Sequence, residues 1–312
     1  MATTPDTLPP PTPLGPPPDL TSKPSISAEI NAATRKEHTD LNRLIISRLP
    51  LALPPTSKTP FAYTLGLSAF AQIFFAFEAA FTDLATAEAA RDQQPEAASS
   101  AYHTQELRRW IVSLRPEGLA RSEVLARDLE YLRGLHKGKQ PVLSQDECAH
   151  IKRQVVDQYL AKPHVLVAYT WVMYMAIFSG GRWIRQQLAG AGPEFWSGGV
   201  TNTEATGGDE KTAKAGTPGF SFLSFPASSQ DGEDIKAEYK TRLAEAERML
   251  TPAEREDVIE AAKTLFEQCI ELVLFLDTEV VKQELKKRNF NSILLAGACV
   301  AIFAIWYLAI FT

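Results

Sequence analysis

Residues 163–181 read PHVLVAYTWVMYMAIFSGG. Proline suits the first turn of a helix, where its missing N–H would have had no partner. From Val165 to Phe178 apolar side chains fall on every face, with no Asp, Glu, Lys or Arg among them. A surface helix shows a polar stripe; this one has none, so it is predicted to run through the centre of a domain. The run ends at Ser179-Gly180-Gly181. Two glycines cost a helix interior about 1 kcal/mol each relative to alanine. They mark a helix end or a tight helix crossing, or a place where missing Cβ atoms let the backbone bend and approach a flat ligand.

The sequence on both sides has the same helical period. Ser27 is an N-cap candidate for a helix through about Arg48, ended by LPLALPP at 49–55. A second helix starts near Thr59-Pro60 and runs to about Ala90, with Phe70, Phe74, Phe77 and Phe81 on one stripe. Further helices are predicted from about Tyr102 to Leu114, Gly118 to Leu135 and Ser144 to Leu160. Residues 91–100 and the GLHKGKQP stretch are connections, and 190–219, rich in Gly, Thr and Ala, is a long loop. FSFLSFP (220–226) precedes a helix at about 231–249. Thr251-Pro252-Ala253-Glu254 is a capping box with proline in the first turn, opening a helix to about Arg288. No strand-period run or internal repeat occurs, so the fold class is all-α.

The chain of 312 residues has a net charge of −5, which argues against nucleic acid as a partner. Cys148, Cys269 and Cys299 form no C-x-x-C pair, so neither a zinc site nor a disulfide framework is indicated, and a reducing cytosol fits. No apolar N-terminal run signals secretion. Residues 1–26 are a Pro-rich extension read as disordered, and 27–288 are one helical domain. From Ser292 to Phe311 the chain reads SILLAGACVAIFAIWYLAIF, without a charge. About 20 residues of helix span about 30 Å, a bilayer's hydrocarbon core. This segment is read as a C-terminal transmembrane tail anchor. Lys282, Lys286, Lys287 and Arg288 before it place the domain on the cytoplasmic side.

Four features bear on chemistry. Ile30, Thr34, His38, Leu41 and Ile45 share one helix side, so the His38 imidazole is expected to face the core. It is either a hydrogen-bonded core histidine or the nitrogen ligand that a haem iron needs. The Ser179-Gly180-Gly181 turn is the second feature. The third, Glu147-Cys148-Ala149-His150, is an E-x-x-H, but di-iron bundles need two such pairs, so a solvated helix face is the reading taken. The fourth is Lys236, Lys240 and Arg242, a solvated basic face or partners for ligand carboxylates.

These residues resemble the haem oxygenase family. ATRKEHTDLN around His38 looks like its proximal-helix motif, and VLVAYTWVMYMAIFSGG like its distal helix. FSFLSFP, then IKAEYKTRL, then MLTPAEREDVIEAAKTLF, resembles its C-terminal region. Asp128-Leu129 before Glu130-Tyr131 also fits, and the likeness spans roughly residues 27–280. The resemblance implies an all-α domain that sandwiches haem between two helices, with His38 as the iron ligand. Ser179 would contact the haem, Gly180 and Gly181 would lie over its distal face, and Lys236, Lys240 and Trp171 would lie near its propionates. It further implies that haem is opened to biliverdin, CO and Fe2+ with O2 and electrons from an NADPH-dependent, membrane-bound reductase. The anchored members imply the endoplasmic reticulum membrane, with the domain facing the cytosol.

The chain departs from the family pattern at the distal helix. Ile177 stands where the family has a water-organising aspartate, Met173 where it has an arginine, Ala176 where a glycine lies over the iron, and Asn31 where a proximal lysine lies. Isoleucine neither donates nor accepts a hydrogen bond. Tyr169, Tyr174 or the backbone at Gly180 would then have to hold the water. The departures leave two rivals to ring opening: a haem-binding or sensing protein on the same fold, and a tail-anchored helical interaction protein without haem.

Overall fold

In a computed structural model of the chain, the described residues are 24–92, 102–136, 143–198, 217–226, 228 and 230–311, without the side chains of Ala246 and of 283–311. They form α-helices and short 3-10 turns, with no strand among them. The Pro-rich extension before residue 24 and the central parts of the expected loops at 91–100, 137–142 and 199–216 lie outside the described residues.

The first expected helix is two. α1 (Ile26–Ala33) and α2 (Arg35–Arg48) meet at Thr34. The Thr34 hydroxyl and N–H both donate to the Ile30 carbonyl, at 2.8 and 2.9 Å, and φ at Thr34 widens to −107°. A buried threonine hydroxyl competing for a backbone acceptor is a recognised cause of such a break. The N-cap is Ser25, not Ser27: its hydroxyl accepts from the Ala28 N–H at 3.2 Å.

α3 (Phe61–Asp92) is the middle of the bundle. Helices α4 (Tyr102–Ser113), α5 (Ser122–Gly134) and α6 (Gln145–Ala161) all pack on it. By length and composition α3 could cross a membrane, yet 78% of its apolar window is buried inside the domain. Phe74, Phe77 and Phe81 of the expected stripe are buried, each contributing about 1.5–3 kcal/mol.

The apolar 163–179 run forms a 3-10 turn, then α7 (Leu166–Ser179), which is buried from Leu166 to Tyr174 as expected. α8 (Gly181–Gly190) follows at 45° to it, a helix not expected from the sequence, and then α9 (Pro193–Trp196), inside the span read as loop. α10 (Glu233–Ala246) starts after Gly232, whose φ is +87°. A Cβ there would come within 2.5 Å of Phe225, so only glycine fits. α11 (Pro252–Phe311) begins with the expected capping box: the Thr251 N–H and hydroxyl both donate to Glu254, at 2.8 Å. Its backbone continues through the 292–311 segment as one helix.

Buried polar groups fix how these pieces meet. Glu78 of α3 accepts from the Arg121 and Ser122 N–H groups at 2.8 and 2.9 Å, closing the N-terminus of α5, and from the Tyr174 hydroxyl of α7 at 3.0 Å. The Arg121 guanidinium lies 4.3 Å over the Phe225 ring and donates to the Ser224 carbonyl. Asp128 accepts from Gly219, Ser221 and Phe222, pinning the FSFLSFP segment under α8. Arg255 of α11 bonds Glu29 at 3.0 Å and the Pro24 carbonyl at 2.7 Å, and Arg48 bonds Asp277. Glu29 meets Arg255, His38 meets Phe266 and Arg48 meets Asp277, so α1 and α2 run parallel to α11 in nearly constant register.

Candidate functional site

The site is built where α1, α2 and α7 pack on α11, with α10 joined to α7 through Tyr239. The Trp171 indole N–H of α7 donates to Asn31 Oδ1 of α1 at 2.9 Å. The same indole stacks on Tyr239 of α10, centroids 6.4 Å apart, and the Tyr239 hydroxyl meets Thr170 at 3.1 Å. Burial pushes the Tyr239 phenol well above its ordinary value, so it keeps its proton. Three chain segments far apart in sequence are thereby locked into one joint.

Past this joint α2 and α7 each pack on α11, and each carries an exposed position. On α2 that position is His38. The sequence expectation that its imidazole faces the core is corrected. α2 has no buried residue, because it lies on the surface of the bundle with α11 beneath it. The His38 ring meets Phe266 edge-on at 5.8 Å, and among the described residues no hydrogen bond holds its nitrogens. The core-histidine alternative therefore fails, and the ring is available to a ligand.

On α7 the exposed stripe is Ala176, Ser179 and Gly180, continued on α8 by Trp183. Gly180 presents no side chain there. Its N–H still bonds the Ala176 carbonyl at 2.9 Å and its carbonyl still accepts from Ile184 at 3.0 Å, so the backbone stays helical while its outer surface is bare. Gly181 is different, and its expected place over a ligand face is corrected. It is buried, and a Cβ there would meet Leu223 Cδ2 at 3.3 Å and Ile177 Cγ2 at 3.5 Å. One glycine serves close approach from outside, the other helix packing from inside.

Ile177 shares that inner side. It is 5% exposed and packs toward Gly181, while its neighbour Ala176 is the exposed residue. The expectation that Tyr169 or Tyr174 could hold a water on the ligand side is also corrected. Both are fully buried; Tyr169 donates to Gln158 at 3.1 Å and Tyr174 to Glu78. Burial first, and the Glu78 charge second, push the Tyr174 phenol well above its ordinary value. On α7 Ser179 is the exposed side chain with a hydroxyl.

The basic residues divide. Lys240 is exposed, and among the described residues no carboxylate pairs with it. Lys236 is half-buried and pairs with Glu233 at 3.3 Å. They bracket Tyr239, and so flank the Trp171 joint. Arg242 turns away: it donates to the Ser113 carbonyl at 2.6 Å and pairs with Glu238, tying α10 to α4. Glu147 of the E-x-x-H closes a capping box with Ser144, accepting its N–H at 2.7 Å, and His150 is exposed. Among the described residues no three His, Cys, Asp or Glu side chains converge on a metal-sized space.

The sequence reading missed the asymmetry of the glycine pair and the Asn31–Trp171–Tyr239 joint. A one-residue step along a helix turns a side chain by about 100°, so the shift from Ile177 to Ala176 was latent in the helical period. The direction of that turn depends on where Leu223 sits.

Solved structures with this architecture include heme oxygenases. The chain matches heme oxygenase-1 from the cyanobacterium Synechocystis sp. PCC6803 in complex with heme, at 16% identity and a TM-score of 0.56, over 86% of this chain and 99% of that one. Heme oxygenase-2 from Synechocystis sp. PCC 6803, in complex with heme and NO, matches at 16% and 0.57, covering 82% and 87%. Heme oxygenase 2 from Chlamydomonas reinhardtii, without heme, matches at 15% and 0.55, covering 80% and 96%. No curated protein matches the sequence. The family model described as heme oxygenase matches residues 24–274. Those residues contain the α2 imidazole, the α7–α8 glycine turn and the α10 lysines, and by that match the chain belongs to the haem oxygenase family.

Proposed function

We propose that the chain is a membrane-anchored haem oxygenase that opens haem to biliverdin, CO and Fe2+ with O2 and electrons from an NADPH-dependent reductase. One observation carries the reading. Two helices that both pack on α11 beside the Asn31–Trp171 joint carry, on one, an exposed imidazole without a hydrogen bond among the described residues and, on the other, an exposed turn without a side chain. The donor set fits haem: an imidazole for iron, a bare backbone for close contact with a flat ring, and ammonium groups for carboxylates.

Bound haem supplies the iron that activates O2 and is itself the ring that is opened. His38 would ligate the metal and Gly180 would admit the porphyrin face. Lys240 would meet a propionate directly. Lys236, already paired with Glu233, would share its charge, and the Trp171–Tyr239 stack would wall that end. Ser179 is the exposed hydroxyl that can hold a water on the α7 side.

The charge-free 292–311 segment supports an anchor in the endoplasmic reticulum membrane, with the domain in the cytosol. Anchoring beside a membrane-bound reductase would raise the effective concentration of the electron donor. The test is the purified chain with haem, NADPH and a cytochrome reductase. Formation of a verdin spectrum with release of CO is expected, and recovery of intact haem after many reductase turnovers would refute ring opening.

A second reading keeps haem binding without ring opening. It is favoured by the apolar α7 stripe, in which Ile177 and Met173 are buried and the two tyrosine hydroxyls are committed to Gln158 and Glu78. Under it, haem binds through His38 and survives the same assay.

A further inference from the structure

Among the tryptophans whose side chains are described, Trp183 of α8 is the one whose indole N–H has no acceptor. Trp110 donates to the Arg242 carbonyl at 3.1 Å, Trp171 to Asn31 at 2.9 Å and Trp196 to the Leu188 carbonyl at 2.8 Å. Trp183 makes no hydrogen bond or ring contact among the described residues, and it is 37% exposed.

Its place on the helix is set by the glycine turn before it. Helical hydrogen bonds run across the bend, from the Gly180 N–H to Ala176 and from the Ile184 N–H to Gly180. At about 100° per residue, Trp183 therefore points about 200° from Gly181 and within about 20° of Ala176. Gly181 is the position packed on Leu223, so Trp183 looks away from the core and continues the exposed line of Ala176, Ser179 and Gly180. Its neighbours hold its backbone still. Arg182 pairs with Glu233 and Arg185 with Asp231, tying α8 to the start of α10. A helical side chain leans toward the N-terminus of its helix, which aims the indole over the Ser179–Gly180 turn. A Cβ on Gly180 would nonetheless meet only the Ala176 carbonyl, at 3.3 Å, so the indole stands off from that turn. The bare turn is an open floor, and the indole is its wall on the α8 side.

That wall stands at one end of the site. Trp171, with Lys236 and Lys240 beside it, marks the other end, and Trp183 lies twelve residues further on, about 18 Å along the helices. Ionised carboxylates belong with the ammonium groups, which leaves the apolar edge of a porphyrin for the indole. Vinyl and methyl groups are arranged unsymmetrically along that edge. Turning haem over about the axis that bisects its two propionates keeps the carboxylates in place and changes what the indole meets. We propose that Trp183 packs on this apolar edge and selects one of the two flipped seats of haem. The inference rests on the haem reading above and adds to it the residue that decides how haem is turned in the slot.

The experiment uses the full chain in detergent micelles as the parent, Trp183→Ala and Trp183→Phe. Each is loaded with ferric haem and cyanide and left to equilibrate. Proton NMR resolves the haem methyl signals of the two seats, and a Soret titration gives Kd; neither needs turnover. The parent should hold one seat in severalfold excess. Trp183→Ala should bring the two populations near equality and raise Kd severalfold. Trp183→Phe keeps a flat ring without the N–H and should retain most of the bias. Far-ultraviolet circular dichroism should be the same for all three, because the exposed side chain holds no hydrogen bond among the described residues. An unchanged ratio in Trp183→Ala, or equal populations in the parent, would overturn the inference while leaving haem binding in place. A parent chain that gives no Soret band with haem removes the haem reading, and this inference with it.

Discussion

Replacing Glu78 with alanine should be among the most damaging single changes in the domain. Its carboxylate is 4% exposed and accepts from three donors on two other helices. Without it, the Arg121 N–H and the fully buried Tyr174 hydroxyl lose their acceptor, while the half-buried Ser122 N–H can find water. Each stranded buried donor costs about 1–3 kcal/mol, and the buried Arg121 guanidinium loses its nearby countercharge. The sum is about 4 kcal/mol. At about 2–4 °C per kcal/mol for a domain of this size, the melting temperature should fall by about 8–16 °C. Tyr174→Phe leaves the carboxylate two donors and should cost only about 1 kcal/mol. In the double variant the phenyl ring needs no acceptor, so the loss should be smaller than the sum of the two by about 1 kcal/mol or more. Thermal and urea denaturation followed by far-ultraviolet circular dichroism would measure all three variants. Strict additivity, or a Glu78→Ala variant as stable as the parent, would refute the claim that this carboxylate joins α3, α5 and α7.

The two glycines should separate by assay. Gly181→Val forces branched methyls against Leu223 and Ile177 and should lower stability by about 1–3 kcal/mol, whereas at Gly180 a Cβ would meet the Ala176 carbonyl of the preceding turn at 3.3 Å and no side chain, so Gly180→Val should cost less stability and weaken haem uptake in a Soret titration. Lys240→Glu places a negative charge where, among the described residues, no carboxylate pairs with the ammonium, and should weaken haem binding most at low salt, an effect that titrations at two ionic strengths would reveal. His38→Ala should change the Soret position and spin state of bound haem while leaving the fold intact, because the exposed ring makes no hydrogen bond among the described residues and meets Phe266 only edge-on. Acid stability should depend on Asp231 and Asp257. Hydrogen bonds from Arg185 and Lys162 hold these carboxyls below the ordinary value of 3.8. Their contribution is thus fully present above that value and is lost as pH falls through the lowered one, so Asp231→Asn should flatten the acid limb of a stability–pH curve.

How far the fold could be read differs by element. The Phe74–Phe77–Phe81 stripe, the Thr251–Glu254 capping box and the all-apolar α7 were legible because each rests on interactions within a few residues along one helix. The two-helix form of 26–48 was not, since it turns on whether a single threonine hydroxyl finds Ile30 or water. The candidate site was legible as residues and not as surfaces. His38, Gly180, Trp171 and the α10 lysines could be named from motif order, and their exposure could not.

Periodicity, capping and apolar length belong to the chain by itself: they are properties of neighbouring residues, and they determined an all-helical bundle, its central helices and a hydrophobic C-terminal segment. Which side of each helix is left uncovered was decided only in the tertiary structure. Burial is set by what packs opposite, and the opposing groups come from distant segments. Among the described residues no helix covers the His38 ring, which meets Phe266 edge-on, and Leu223, in the segment held by Asp128, takes Gly181 inward and leaves Gly180 bare.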